Sequence, residues 1–123
     1  MPLPATAAVD THAHVFHQGL ALADTRRHTP DYDATLAHYL ELLDGHGLSD
    51  GVLVQPSFLG TDNSHLLQAL RAAPARLRGV AVVDPAIDDP GLQALAAAGV
   101  VGIRLNLIGL DLPDLAAPAW RHL

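Results

Sequence analysis

Two histidines separated by a single residue, His12 and His14, form the strongest chemical signal in the sequence, within Asp10-Thr11-His12-Ala13-His14. Side chains alternate between the faces of a strand, so residues two apart share a face, about 6.6 Å apart along the backbone. Their rings can converge on one metal ion, with bonds of about 2.0–2.1 Å, or on one polarised carbonyl oxygen. The same spacing also fits two histidines that form ordinary core hydrogen bonds or lie exposed at a strand end.

Two further charged residues lie in or beside apolar runs. Asp10 falls on the same predicted strand face as the histidines, where it could orient one of them or serve as a plain hydrogen-bond acceptor. Arg104 follows Val100-Val101-Gly102-Ile103, and a guanidinium in such a run needs an anionic partner. That partner is either a substrate carboxylate held by two parallel hydrogen bonds or Asp84, at the end of the neighbouring predicted strand.

Four short runs of branched apolar residues are typical of strands buried on both faces in a parallel sheet. They are Ala8-Val9 continuing through Val15-Phe16, Val52-Leu53-Val54, Val80 to Val83, and Val100 to Leu107. Helical patterns lie between these runs. The first spans residues 33–44. The second is capped by Asp62 or Asn63 and ended by Pro74, and the third is capped by Asp89 before Pro90 and ended by Gly99.

A fourth helix is expected near Pro118, and the order β-α-β-α-β-α-β predicts an α/β fold with right-handed crossovers and strands in chain order. The polar stretch from His17 to Asp31 is too long for a plain turn. Long connections after the carboxyl ends of strands are where α/β proteins place their sites.

Composition excludes several classes of function. The net charge of −6 and the absence of a basic run argue against binding to nucleic acid or to an anionic membrane surface. With no cysteine, the 123-residue chain has neither disulfides nor thiolate metal ligands. Residues 1–9 show no signal peptide or membrane-spanning pattern, so we expect a cytoplasmic protein.

Several segments occur in the order typical of a known family: Val9 to Phe16, Val54-Gln55-Pro56-Ser57, Gly60-Thr61-Asp62-Asn63, Arg78 to Pro85, and Gly102-Ile103-Arg104-Leu105-Asn106. Together they resemble the amidohydrolase superfamily (amidohydrolase-related family 2), and within it the N-terminal half of hydrolases like 2-pyrone-4,6-dicarboxylate lactonase. The resemblance covers about residues 8–109. It implies a single partial domain, 1–123, comprising about four βα units of a TIM (β/α)₈ barrel whose site lies at the carboxyl ends of the strands.

The resemblance also implies roles for individual residues. In this family a water attacks a lactone, ester or amide carbonyl, and His12 and His14 match the catalytic pair. The pair binds one divalent metal, Zn²⁺ or Mn²⁺, in most members and works without metal in the lactonase branch. Ser57 matches a substrate-contacting serine and Arg104 an arginine that holds a substrate carboxylate. His28 replaces a tyrosine in the loop before Thr29-Pro30, where it would contact the ligand.

Two departures from the family pattern shape the expected function. The lactonase branch has a second arginine where this sequence has Leu110, which makes the lactone of a mono-acid or sugar acid at least as suitable as a pyrone dicarboxylate. The sequence ends after the fourth predicted strand, whereas a full barrel needs about 250 residues. We therefore expect only part of a catalytic site, no enzyme-like turnover by the chain alone, and association with another copy or with a missing C-terminal half.

The alternative is a non-catalytic four-stranded α/β half-barrel that acts as a binding or interaction module, or a truncated remnant. Four other histidines are predicted to lie at the surface: His38, His46, His65 and His122.

Overall fold

The computed structural model of the protein describes residues 7–123, so the first six residues of the predicted domain 1–123 lie outside the described residues. In chain order its elements are β1 (Val9–Ala13), α1 (Leu36–Gly45), β2 (Asp50–Val54), a 3₁₀ turn (Ser57–Leu59), α2 (Ser64–Ala72), β3 (Leu77–Ala81), α3 (Asp89–Ala97), β4 (Val100–Ile103) and α4 (Pro118–Arg121).

The four strands form one sheet in the order β1-β2-β3-β4, and every neighbouring pair is parallel. Helix α2 packs on β3 and α3 packs on β4. The predicted α/β fold, four βα units as in half of a TIM barrel, is confirmed. Among the helices between residues 7 and 123, none has the length and apolar character required to cross a membrane.

The main hydrophobic core lies between the sheet and its helices. Its most deeply buried members come from both layers: Leu43, Leu53, Leu70, Leu77 and Ala81. Glycine allows a close approach of the two layers at Gly79, where a Cβ atom would lie 2.8 Å from Cδ1 of Leu70. The helix-covered face of the sheet therefore stabilises the fold, and the opposite face does not contribute to this core.

Strand β1 carries an irregularity that changes which residues share a face. Asp10 pairs with Gly51 and Ala13 pairs with Leu53, so β1 uses one more residue than β2 over this stretch. Such a bulge interrupts the alternation of side chains and re-aims those that follow it. Asp10 and Ala13 both point toward the helices, whereas simple alternation would have placed them on opposite faces.

Two predicted helix starts are wrong by one to three residues. Helix α1 begins at Leu36, because the Thr35 side chain accepts the His38 backbone N–H at 3.2 Å. Helix α3 is capped by Asp88, whose carboxylate accepts the Gly91 N–H at 2.8 Å. In both cases the extended residue just before the first helical turn makes the cap, and its identity depends on backbone angles that sequence leaves open.

A second small apolar cluster fixes the long loop after β1. Phe16, Phe58 and Leu59 are all buried within it. The backbones of Phe16 and Ala34 exchange two hydrogen bonds, of 2.8 and 2.9 Å. The loop therefore packs against the 3₁₀ turn that follows β2, which places segments 14–35 and 55–63 side by side at the carboxyl ends of β1 and β2.

Candidate active site

His14 lies just beyond the carboxyl end of β1, and its ring is fixed by the neighbouring strand. Its Nδ1 atom lies 2.7 Å from the carbonyl oxygen of Val54. A carbonyl can only accept, so Nδ1 carries the proton and donates it, and Nε2 keeps a free lone pair in the neutral ring. Burial lowers the pKa of His14 below its ordinary value of 6.5, and His12 and Arg104 lower it further, against the opposing effect of the Val54 carbonyl.

His12 lies next to His14 on the face of the sheet that the helices do not cover. The two ring centroids are 5.0 Å apart and the ring planes stand at 86°. His12 is exposed, and His14 is half-buried. The structure thus brings the two predicted histidines together at the end of β1, with one ring oriented by the backbone and the other open to solvent.

Asp10 does not share that face, contrary to the prediction. Its carboxylate accepts a hydrogen bond of 3.0 Å from the Tyr39 hydroxyl on α1 and one of 3.3 Å from the backbone N–H of His12. The β1 bulge causes the difference, since it breaks the alternation on which the prediction relied. Burial, together with the adjacent Asp10 carboxylate, raises the pKa of Tyr39. Asp10 therefore acts as a structural acceptor that fixes the His12 backbone.

Arg104 reaches the same region from the far side of the sheet. Its backbone N–H donates to Ala81 at 2.8 Å, and its Nη1 atom donates to the carbonyl oxygen of Gln55 at 2.9 Å. The alternative of an ion pair with Asp84 is wrong for the structure of residues 7–123, where the Asp84 carboxylate instead accepts the backbone N–H of Ala86 at 2.8 Å. The remaining N–H groups of the guanidinium form no hydrogen bond with Gln55, Ala81 or Asp84.

Two consecutive carbonyls at the end of β2 link these groups, since Val54 holds His14 and Gln55 holds Arg104. Ser57 follows two residues later as the first residue of the 3₁₀ turn and is exposed. An imidazole and a guanidinium from opposite edges of the sheet are therefore bound to neighbouring backbone carbonyls, just before the turn that carries the predicted serine. A neutral acceptor and a fixed cation together suit the binding of a polar, anionic small molecule.

Gln55 has a structural role that the sequence analysis missed. It is completely buried, and its amide nitrogen donates to the carbonyl oxygens of Gly60 at 3.0 Å and Asp62 at 2.8 Å. These bonds close the loop that carries Ser57. The available signal was a polar residue directly after the apolar run Val52-Leu53-Val54, where a buried amide must find partners.

Asn63 acts in a similar way, although it was predicted as a helix cap. Its side-chain nitrogen donates to the Val82 carbonyl at 2.9 Å, and its oxygen accepts the Val82 backbone N–H at 3.3 Å. Asp62 instead accepts the backbone N–H of Ser64, at the start of α2, at 3.1 Å. Asn63 thus ties the loop after β2 to the end of β3.

His28 is not brought into contact with the other predicted site residues. It is exposed, and its ring centroid lies 5.9 Å from that of Phe58. It therefore sits over the apolar cluster under the long loop. His38, His46 and His122 are exposed, as predicted.

The prediction of an exposed His65 is wrong. The residue is half-buried in the first turn of α2, with its ring centroid 5.1 Å from that of His17. Burial lowers the pKa of His65, and the neighbouring His17 adds to this effect. The contact joins two loops that are distant in sequence, so no local pattern could reveal it.

The side chains near His12 and His14 do not by themselves meet the needs of a divalent metal ion. A catalytic zinc site uses three protein ligands and an open position. Within residues 7–123, no group of three or more His, Cys, Asp or Glu side chains is arranged to hold an ion. His12 and His14 alone therefore do not make a complete metal site.

Comparisons with known proteins agree with this architecture. The amidohydrolase family profile matches residues 9–123. A 2-pyrone-4,6-dicarboxylate hydrolase from Comamonas testosteroni is 41% identical over 108 residues, 86% of this chain and 35% of the relative. A 4-sulfomuconolactone hydrolase from Hydrogenophaga intermedia is 32% identical over 97 residues, 77% of this chain and 32% of the relative.

Among solved structures, a probable 2-pyrone-4,6-dicarboxylic acid hydrolase from Acinetobacter baumannii, with citric acid bound, superimposes with a TM-score of 0.90. It is 47% identical, and the match covers 95% of this chain and 44% of that one. The chain thus spans about a third of the length of the curated relatives and under half of the solved structure. Because the family profile matches nearly all of its residues, the chain belongs to the amidohydrolase family.

Proposed function

We propose that this chain supplies the carbonyl-binding and carboxylate-binding groups of a hydrolase that opens the lactone ring of a small carboxylic acid. The observation that carries the proposal is that His14 and Arg104 bind consecutive backbone carbonyls, those of Val54 and Gln55, just before Ser57. The relatives named above as hydrolases of acidic lactones support the same substrate class.

The two histidines take different roles in this proposal. His14 is neutral near pH 7, and its free Nε2 lone pair accepts a hydrogen bond from the attacking water. His12, whose ring is 5.0 Å away, donates to the carbonyl oxygen as negative charge develops on it. The water oxygen bonds to the carbonyl carbon as one of its protons passes to Nε2 of His14, and the ring C–O bond breaks. The leaving oxygen takes up the proton held by His14, and the second proton of the water is lost to solvent, which yields a hydroxyl group and a carboxylate.

A bound Zn²⁺ or Mn²⁺ ion is part of the proposal only as a further occupant of the His12–His14 pair. The pair provides two imidazoles, and the described residues provide no third ligand. When bound there, such an ion would polarise the carbonyl in place of the imidazole N–H. The contacts of this chain support the proposed roles of His14 as an acceptor and of Arg104 as an anion anchor.

Arg104 sets the substrate class. Its free N–H groups are suited to a bidentate contact with one carboxylate. Leu110, where the lactonase branch has a second arginine, is exposed and apolar, so the second carboxylate of a pyrone dicarboxylate gains no charged partner there. We therefore propose a monocarboxylate lactone as the preferred ligand, with Ser57 and His28 as further contacts to it.

The test compares binding of a pyrone monocarboxylate, a pyrone dicarboxylate and an uncharged pyrone to the 123-residue chain by NMR titration. Arg104→Leu should weaken binding of the acids by roughly tenfold to a hundredfold, the cost of one charge-assisted contact, and leave the uncharged pyrone unaffected. Arg71→Leu, at an exposed position on α2, is the matched control. Equal loss for charged and uncharged ligands would contradict the anchor role.

Ring opening is assayed in parallel by the loss of pyrone absorbance. His14→Gln and His12→Gln should each abolish any turnover that the unmodified chain shows, whereas the exposed His38→Gln should not. Binding of acids that depends on Arg104 in a chain with no turnover would favour the alternative of a binding module. Turnover that survives both histidine substitutions would refute the assignment of the pair.

A further inference from the structure

A second pair of histidines lies outside the site described above. His17 follows β1 on the long loop, and His65 lies in the first turn of α2. Their ring centroids are 5.1 Å apart, with the ring planes at 80°. This spacing nearly equals the 5.0 Å of the His12–His14 pair, although the residues come from different parts of the chain.

We propose that His17 and His65 form a two-imidazole site for a late divalent transition-metal ion, with water in the remaining positions. Two imidazole nitrogens bound tetrahedrally at about 2.1 Å from one Zn²⁺ ion place their ring centroids about 5 Å apart. Imidazole is a ligand suited to Zn²⁺, Ni²⁺ and Cu²⁺ rather than to Mg²⁺ or Ca²⁺. The observed spacing therefore fits one shared ion of this class.

The His17 ring has the tautomer that is usual for metal-binding histidines, in which the nitrogen that does not bind the ion donates its proton to a nearby acceptor. Its Nδ1 atom lies 2.7 Å from the backbone carbonyl of Gln18 and must donate to it. Nε2 is then left with a free lone pair, and the carbonyl fixes the ring orientation, as a second-layer acceptor does in known metal sites. The His65 ring forms no hydrogen bond with residues 7–123, so it is free to bind an ion.

Both imidazoles are carried by segments that are held in place. The residue before His17 is the buried Phe16, whose backbone is paired with Ala34 through bonds of 2.8 and 2.9 Å. The residue after His65 is Leu66, which is buried in the main core. Because His17 is exposed and His65 half-buried, the pair is accessible to an ion from solvent.

A shared ion would tie the loop after β1 to α2. A ligand that binds only the folded chain stabilises it by mass action, in proportion to the logarithm of its concentration relative to Kd. Metal binding should therefore raise the melting temperature of the chain as well as perturb the two rings.

The experiment titrates Zn²⁺ into the untagged 123-residue chain and follows the histidine ring resonances by NMR, with calorimetry for the affinity. The rings of His17 and His65 should shift with one common binding curve. His17→Gln and His65→Gln should each weaken that binding by roughly tenfold or more, since even the loss of an outer acceptor costs that much. His38→Gln, an exposed histidine on α1, is the matched control and should bind unchanged.

Zn²⁺ binding at His17 and His65 is distinguished from binding at the proposed catalytic pair by a repeat of the titration in the double variant His12→Gln/His14→Gln. The His17 and His65 shifts should persist there, together with the rise in melting temperature. The proposal is overturned if Zn²⁺ leaves both rings unshifted in the unmodified chain, a result that needs no variant to fold. It is also overturned if the double variant His17→Gln/His65→Gln, folded by its NMR spectrum, binds Zn²⁺ as tightly as the unmodified chain.

Discussion

The two faces of the four-stranded sheet differ in what their side chains do. On the helix-covered face, Leu53, Leu77 and Ala81 are almost completely buried against α1, α2 and α3. On the other face the strand ends carry His12, His14 and Arg104, which are exposed or half-buried and bind backbone carbonyls or remain open. One face thus provides apolar contacts for stability, and the other carries the polar groups of the candidate site.

The largest expected effect is loss of a core contact on the helix-covered face. Leu53→Ala should lower the free energy of unfolding by about 2–5 kcal/mol, because it leaves a cavity at a position that is 1% exposed. Val52→Ala, the adjacent residue on the opposite face and only half-buried, is the control and should cost clearly less. Urea unfolding of both variants measures the difference, and equal costs would remove the distinction between the faces.

A smaller loss is expected at Gly51, a second glycine of the sheet against which a helix packs tightly. A Cβ atom on Gly51 would lie 2.9 Å from ring atoms of the buried Tyr39, so Gly51→Ala should destabilise the chain by about 1–3 kcal/mol. On the open face, a Cβ atom on Gly102 would lie 3.5 Å from Val80, which is an ordinary contact. Gly102→Ala should therefore be nearly neutral. Thermal melts of the two variants measure the difference in stability, and a larger loss for Gly102→Ala than for Gly51→Ala would contradict the prediction.

The open face should show a small effect on stability even where it matters for binding. Arg104→Leu removes one hydrogen bond to Gln55 and should cost about 0.5–1.5 kcal/mol in unfolding free energy. The same variant is expected to lose most of its affinity for carboxylates. A cost comparable to that of Leu53→Ala would show that the guanidinium chiefly holds the sheet together.

The smallest effect is a pH dependence that originates at His14. Its folded pKa lies below the ordinary value of 6.5, so the unfolded chain binds more protons and stability falls as pH drops below about 6.5. Unfolding midpoints at about pH 8 and about pH 5.5, with EDTA present, should show the unmodified chain losing more stability than His14→Gln. An equal loss in the two proteins would show that His14 does not contribute.

The order and direction of the strands could be read from the sequence. The runs around Val9, Val52, Val80 and Val100, separated by helical patterns, predicted a parallel sheet in chain order, and this is confirmed. Local hydrophobic periodicity was sufficient because each βα unit buries its own apolar face against the next. His12, His14 and Arg104 could be selected from the same pattern, since each lies in or near a predicted strand, whereas Ser57 was selected only through the family resemblance.

Side-chain direction and long-range contacts were decided only by the tertiary structure. Asp10 points to Tyr39 on α1 because an extra residue in β1 breaks the alternation, and bulges leave no clear mark in a single sequence. Two long-range features depend on the packing of two loops around Phe16 and Phe58. They are the hydrogen bonds that the Gln55 amide donates to its own loop and the approach of His17 to His65. The sequence by itself determined the elements and their order, because those follow from local periodicity, whereas the register of pairing and the packing of loops decided which polar groups meet.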